Sequence, residues 1–131
     1  MTQEEKQLVL NDISSRLPYG VMMHVRYCDW SNDDEIKERD VELTCYNISY
    51  AYEDVWHFYK PYLRPMSSMT EEELKEFTGF ASISNHRFFI GDSYFWYNTY
   101  EEEDWLNSHH FDYRRLIEKG LALEAPEGMY E

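Results

Sequence analysis

The sequence predicts an α+β domain: an N-terminal helix, an antiparallel sheet of about five strands, a middle helix and a C-terminal helical pair. Three observations predict it. Threonine precedes glutamate by three residues at Thr2/Glu5, Thr70/Glu73 and Thr99/Glu102. In each box the threonine oxygen can accept from an early helical N–H, and the glutamate can reach back to the threonine N–H. Between the boxes lie stretches of period-two alternation, the signature of half-buried strands. Strands and helices fall in separate blocks with short connections, which favours an antiparallel sheet over parallel βαβ units.

The elements follow in order. The first helix spans Gln3 to Arg16, with Leu8, Val9, Ile13 and Leu17 at helical spacing and Pro18 and Gly20 to stop it. Val21, Met23, Val25 and Tyr27 then alternate with Met22, His24, Arg26 and Cys28, a strand with one buried face. "SNDDEIKERD" reads as a polar, solvated loop. Val41, Leu43 and Cys45 alternate again, and Tyr46, Ile48 and Tyr50 continue on the opposite parity, which calls for a bulge or tight turn near Tyr46–Asn47. "VWHFYKPYLRP" is a strand that Pro61 and Pro65 confine to an edge or an end. The second helix runs from Thr70 to about Gly79. "HRFFIGDSYFWY" is a hairpin around Gly91-Asp92. A third helix follows Thr99, and a short last helix covers about Tyr113 to Lys119. Gly120 offers it a left-handed cap, with Leu121 placed for the hydrophobic contact. The tail from about 124 is loosely held unless Met129 and Tyr130 dock.

At 131 residues the chain is long enough for one domain with a core. Aromatic residues make up 18%, an unusually heavy load that argues against wholesale disorder despite a net charge of -14. The acidity runs along the whole chain, and no basic stripe is present. Direct nucleic-acid binding needs clustered Lys and Arg, so none is expected. The acidic helix starts suit the positive end of the helix dipole, which gives much of this charge a local structural reason. An acidic surface favours solubility or a basic protein partner. The two cysteines, Cys28 and Cys45, lack zinc-site spacing and read as small buried groups in neighbouring strands. The N-terminus lacks a signal-peptide pattern and no run reaches transmembrane length, so a cytoplasmic protein without membrane contact is expected.

The segments "LPYGV", "KPYLRPMSSMTEEE" and "WLNSHHFDYRRLIEKGLALEAPEGMY" resemble a family of short acidic hypothetical proteins. These are carried by phages, prophages and other mobile elements of gut anaerobic bacteria. The family pattern has glycine where this chain has Arg115, and often alanine or lysine at Ser108. The departure at Arg115 asks whether that point of the last helix needs a small residue. The resemblance implies an accessory protein of a mobile element. It implies no activity, cofactor or catalytic residue.

Two sets of residues stand out as candidate sites. His109, His110 and Asp112 are the candidates if a polar site exists. On a regular helix adjacent histidines point about 100° apart, whereas zinc-binding helices space them by four. The structural reading is a tight joint between two helices, with Asp112 capping the second by accepting its first N–H groups. A helix-terminal histidine also suits the negative dipole end when protonated. No metal and no cofactor is assigned. Trp96, Tyr97, Tyr100 and Trp105 are the candidate interaction surface, because aromatic side chains give large, rigid contact area. "KPYLRPMSSM" reads as a structured connection. The expected function is a non-enzymatic, protein-binding accessory protein, one version being an acidic inhibitor of a host protein. A metal-assisted hydrolase using His109, His110 and Asp112 is the alternative. A helix-turn-helix DNA-binding regulator, with Arg114, Arg115 and Lys119 on its second helix, is the third reading.

Overall fold

The computed structural model describes residues 2–29, 31, 35–46, 48, 56–80, 86–90, 93–97 and 99–130. Side chains are described for residues 2–26, 31, 35–46, 48, 60–77 and 101–130. Helix α1 covers Gln3–Arg16, and its N-terminus carries the expected capping box. Thr2 Oγ1 accepts from Glu5 N–H at 3.1 Å, and Glu5 accepts from Thr2 N–H at 3.0 Å. A 3₁₀ turn at Leu17–Tyr19 and Gly20 in the left-handed region then redirect the chain. A Cβ at Gly20 would stand 2.8 Å from a Glu42 carboxylate oxygen, the movable end of an exposed side chain, so it is the left-handed backbone that favours glycine there.

Strands β1 (Met22–Asp29), β2 (Glu35–Glu42), β3 (Trp56–Leu63) and β6 (Leu123–Glu124) form a mixed sheet in the order β2-β1-β3-β6. β1 pairs antiparallel with both neighbours, whereas β6 runs parallel to β3. The sheet therefore differs from the expected all-antiparallel one of about five strands. "SNDDEIKERD" is corrected most: its residues from Glu35 to Asp40 belong to β2. Charge complementarity across the sheet explains this. His24 faces Asp40 and Arg26 faces Glu38 in register, both at ion-pair distance, and such opposed pairs stabilise strand pairing.

β3 lies between β1 and β6 in the sheet order, with Pro65 past its end. β6 meets only Tyr62 and Leu63, so Pro61 lies outside that ladder and its missing N–H is tolerated. Cys45 is exposed and its thiol is free, so it is neither the buried hydrophobe expected nor half of a disulfide. Cys45 and Tyr46 do lie in a turn, while Asn47 and the continuation through Val55, apart from Ile48, lie outside the described residues.

α1 covers one face of the sheet. Val9 and Ile13 pack with Val21, Met23, Val25, Leu43 and Leu63, joined by Leu116, Leu121 and Ala122 from the far end of the chain. Helix α2 (Glu71–Phe80) and helix α3 (Thr99–Ser108) build a second core from Phe77, Trp105 and Leu106, completed by Met66 and Phe111. The Thr70/Glu73 box caps α2 as expected. The Thr99/Glu102 box rests on a side chain outside the described set. β4 (His86–Ile90) and β5 (Ser93–Tyr97) form the expected hairpin, with Ile90 opposite Ser93, as a separate two-stranded sheet. No helix among the described residues is long and apolar enough to cross a membrane.

Candidate functional site

The segments Lys60–Glu73 and Trp105–Tyr130 meet at one place. Arg64 leaves the end of β3 and makes an isolated parallel bridge with Phe111. Its N–H donates to the His110 carbonyl at 2.7 Å, and its carbonyl accepts from Asp112 N–H at 2.8 Å. Its guanidinium lies 4.2 Å over the Phe111 ring and donates two parallel bonds to Glu73, at 2.9 and 2.7 Å. This fork geometry is among the stronger ion-pair arrangements. The Arg64 bonds and the Thr70 cap hold the Glu73 carboxyl down at about 2. Arg64 thus ties the strand end, the start of α2 and the chain after α3 into one unit.

The histidine pair sits at the C-terminus of α3. His110 adopts φ 64°, the left-handed region. Its N–H donates to the Asn107 carbonyl, and Phe111 N–H donates to the Leu106 carbonyl. These two bonds are the Schellman termination, with histidine where glycine is usual. Trp105 and Phe111 stack at 5.9 Å across it, the hydrophobic contact that accompanies the motif. His109 stacks on Trp105 at 4.0 Å, with Nδ1 2.9 Å from the Trp105 carbonyl. His110 faces away and stacks on Tyr130 at 3.6 Å. Burial first, then the charges of Arg16, His109 and Arg64, push its pKa down to about 4. The ring is therefore neutral at ordinary pH, and the expected dipole interaction of a protonated histidine does not operate at this position.

Asp112 accepts from Leu116 N–H at 2.8 Å and Ile117 N–H at 2.9 Å. It caps, as expected, but what it caps is a single turn. No helix forms over residues 113–119, because Arg115 takes φ 59° and breaks the helical path. Gly120 then closes that turn as expected: its N–H reaches the Ile117 carbonyl, Leu121 N–H reaches the Leu116 carbonyl, and Leu116 and Leu121 share the core. The helix-turn-helix outline thus lacks its second helix. Burial raises the Asp112 pKa, and the two N–H bonds oppose that rise. His109, His110 and Asp112 each serve a different neighbour and do not converge. Among the described residues no group of three His, Cys, Asp or Glu side chains is placed to hold a metal ion.

Beneath this joint lies a buried ionic cluster. Asp12 and Arg16, one turn apart on α1, are both 0% exposed and joined at 2.8 Å. Arg114 reaches the other Asp12 oxygen at 2.8 Å, and Arg16 donates to the Phe111 carbonyl at 2.7 Å. Val9, Asp12, Ile13 and Arg16 form one helical stripe, so the burial of both charges was available from spacing. The tail is held as well. Ala125 N–H donates to the Leu63 carbonyl. The Tyr130 hydroxyl accepts from Met22 N–H at 2.9 Å and donates to the Tyr62 carbonyl at 2.7 Å.

Two clefts flank the 3₁₀ turn Met66–Ser68. The first, about 380 Å³, lies between Arg64, Ser68, Thr70 and Glu73 on one wall and Glu124–Gly128 with Tyr130 on the other. The second, about 400 Å³, is lined by Pro65–Ser67, Asp112, Arg115, Ile117 and Glu118. Every lining residue of both comes from the two long segments singled out in the sequence.

Of the expected interaction surface, Trp105 is 7% exposed and donates its indole N–H to Glu76, so it belongs to the core. The side chains of Trp96, Tyr97 and Tyr100 lie outside the described set. Compared with protein-family models, curated proteins and solved structures, the chain matches none.

Proposed function

We propose that this protein acts by binding another protein, taking an extended basic segment of its partner into the cleft between Arg64 and the tail. The observation that carries this reading is the charge of the two walls. On one wall Arg64 is matched by Glu73 in a closed ion pair. On the other, Glu124 and Glu127 are exposed beside Pro126. The cleft therefore offers carboxylates and flat apolar surface to whatever enters, within a chain of net charge -14 that draws cations by long-range attraction. The resemblance of the lining segments to short proteins of phages and mobile elements fits an accessory role, such as an acidic inhibitor of a cytoplasmic host protein.

The test is binding of a fluorescein-labelled hexa-arginine peptide followed by anisotropy. Glu124→Gln with Glu127→Gln should weaken binding by roughly tenfold, equivalent to about 1.4 kcal/mol, and added salt should weaken it further. Glu4→Gln with Glu101→Gln removes the same charge from exposed positions elsewhere and should change little. Equal losses in both double variants would mean that the peptide senses only net charge, and the cleft reading fails.

A further inference from the structure

We propose that the segment from Ala125 to Tyr130 is a strap, fastened by the Tyr130 hydroxyl, whose seating forms or dissolves the acidic wall of the cleft. This rests on the reading of that cleft as a binding site and adds its regulation. The strap is fixed at two points. At its start, Leu123 and Glu124 pair with β3, and Ala125 N–H bonds the Leu63 carbonyl. At its end, Tyr130 is seated in a socket made by three unrelated parts of the chain. The Met22 N–H lies at 2.9 Å, the Tyr62 carbonyl at 2.7 Å and the His110 ring face at 3.6 Å.

The socket has a defined origin in the sheet. The β1–β3 ladder ends with Met23 opposite Pro61, and Met22 and Tyr62 are the next residues along the two strands. There the phenol stands between them, taking the proton of one and giving its own to the other. The hydroxyl therefore bridges β1 and β3 one residue beyond the Met23–Pro61 pair, in place of a direct strand-to-strand bond. Between the two fixed points, residues 126–128 are exposed, and their internal bond is Met129 N–H to the Pro126 carbonyl. The carboxylate of Glu127 and the outer wall of the cleft ride on this span. Unseating Tyr130 removes that wall.

Binding and seating are then linked and must affect each other by the same factor. The measurement is hydrogen exchange of the Met22 amide, whose partner is the Tyr130 oxygen, with and without saturating hexa-arginine peptide. The peptide should slow Met22 exchange, while the Leu43 amide, bonded to the Val21 carbonyl, should be unaffected. Tyr130→Phe keeps the ring and loses both hydrogen bonds. It should speed Met22 exchange, and if it leaves the seat closed one time in ten, peptide affinity falls by roughly tenfold.

The exchange measurement on the unaltered protein stands even if the variant misfolds. Unchanged Met22 exchange on peptide binding overturns the strap, as does Tyr130→Phe binding like the parent. In either case the cleft survives if the Glu124/Glu127 variant still loses affinity. Absence of any peptide binding overturns both readings.

Discussion

Protonating His110 should destabilise the protein in a defined pH interval. The ring is 8% exposed, and the guanidinium groups of Arg16 and Arg64, together with His109, act on it against a second positive charge. Its pKa falls from 6.5 to about 4. In the unfolded chain the imidazole takes a proton as pH drops below about 6.5. In the folded chain it resists until about 4. Between those values the unfolded state binds more protons, so stability falls as pH falls. The stabilisation is fully present above pH 6.5. At about 1.4 kcal/mol for each pH unit, the whole interval is worth about 3 kcal/mol, and about 2 kcal/mol of it is lost by pH 5.

His110→Asn removes the titration, and asparagine tolerates the left-handed backbone that position requires. Urea denaturation of both proteins at pH 7, 6 and 5 gives the two stability profiles. Asp112, whose raised pKa acts in the opposite direction, contributes to both profiles and largely cancels in their difference. The stability gap between parent and variant should therefore narrow by about 2 kcal/mol from pH 7 to pH 5. Parallel profiles would refute the argument, since they would mean that His110 is not held neutral by its surroundings.

Two further predictions concern the backbone and the buried charges. Arg115→Gly should raise the urea midpoint, because the left-handed region costs a non-glycine residue about 1–2 kcal/mol and Arg115 stands at φ 59°; Arg115→Ala should give no such gain, and equal effects would deny that the backbone is the cause. Asp12→Leu should cost about 3–5 kcal/mol, the range for leaving a buried charge without its partner, since it strands the fully buried Arg16 and frees Arg114. Arg16→Met should cost less, because Arg114 still neutralises Asp12; the reverse order in thermal denaturation would contradict the arrangement of the cluster.

What the sequence revealed depended on whether the signal was local. α1, β1 and α2 each carry their own periodicity or capping box, and all three formed where expected. β2 was hidden because Ile36 and Val41 are its only apolar residues, and its pairing comes from charges on another strand. β6 is too short to show a period, and its pairing partner lies about sixty residues away. The helix expected at 113–119 fails at one residue. Tyr113, Leu116 and Ile117 have helical spacing, but Arg115 adopts the left-handed conformation that glycine takes most readily, so what the position asks for is backbone freedom. At the candidate site, Asp112 as a cap and Gly120 as a terminator could be read from the sequence. The Tyr130 socket could not, because its three walls meet only after the sheet has formed.

The segments Lys60–Glu73 and Trp105–Tyr130 are rich in polar residues, and most of these have architectural work. Thr70 and Glu73 cap α2, Arg64 joins three elements, Asp112 and Gly120 shape one turn, and Arg114 neutralises Asp12. Even the histidine pair serves a helix terminus and an aromatic stack. Subtracting these, and the Ser68 hydroxyl that donates to the Pro65 carbonyl, leaves a short set of exposed positions: Ser67, Arg115 and Glu118 beside the second cleft, and Glu124, Pro126, Glu127 and Gly128 beside the first. Stability gives no reason for charged residues at the mouths of two clefts, since exposed charges contribute little to it. On the proposed reading, the exposed carboxylates of Glu124 and Glu127 at the first cleft serve recognition of a cation and not the holding of the fold. Charge reversal at Glu127 should therefore affect binding far more than melting temperature, whereas changes at Asp12 should do the opposite.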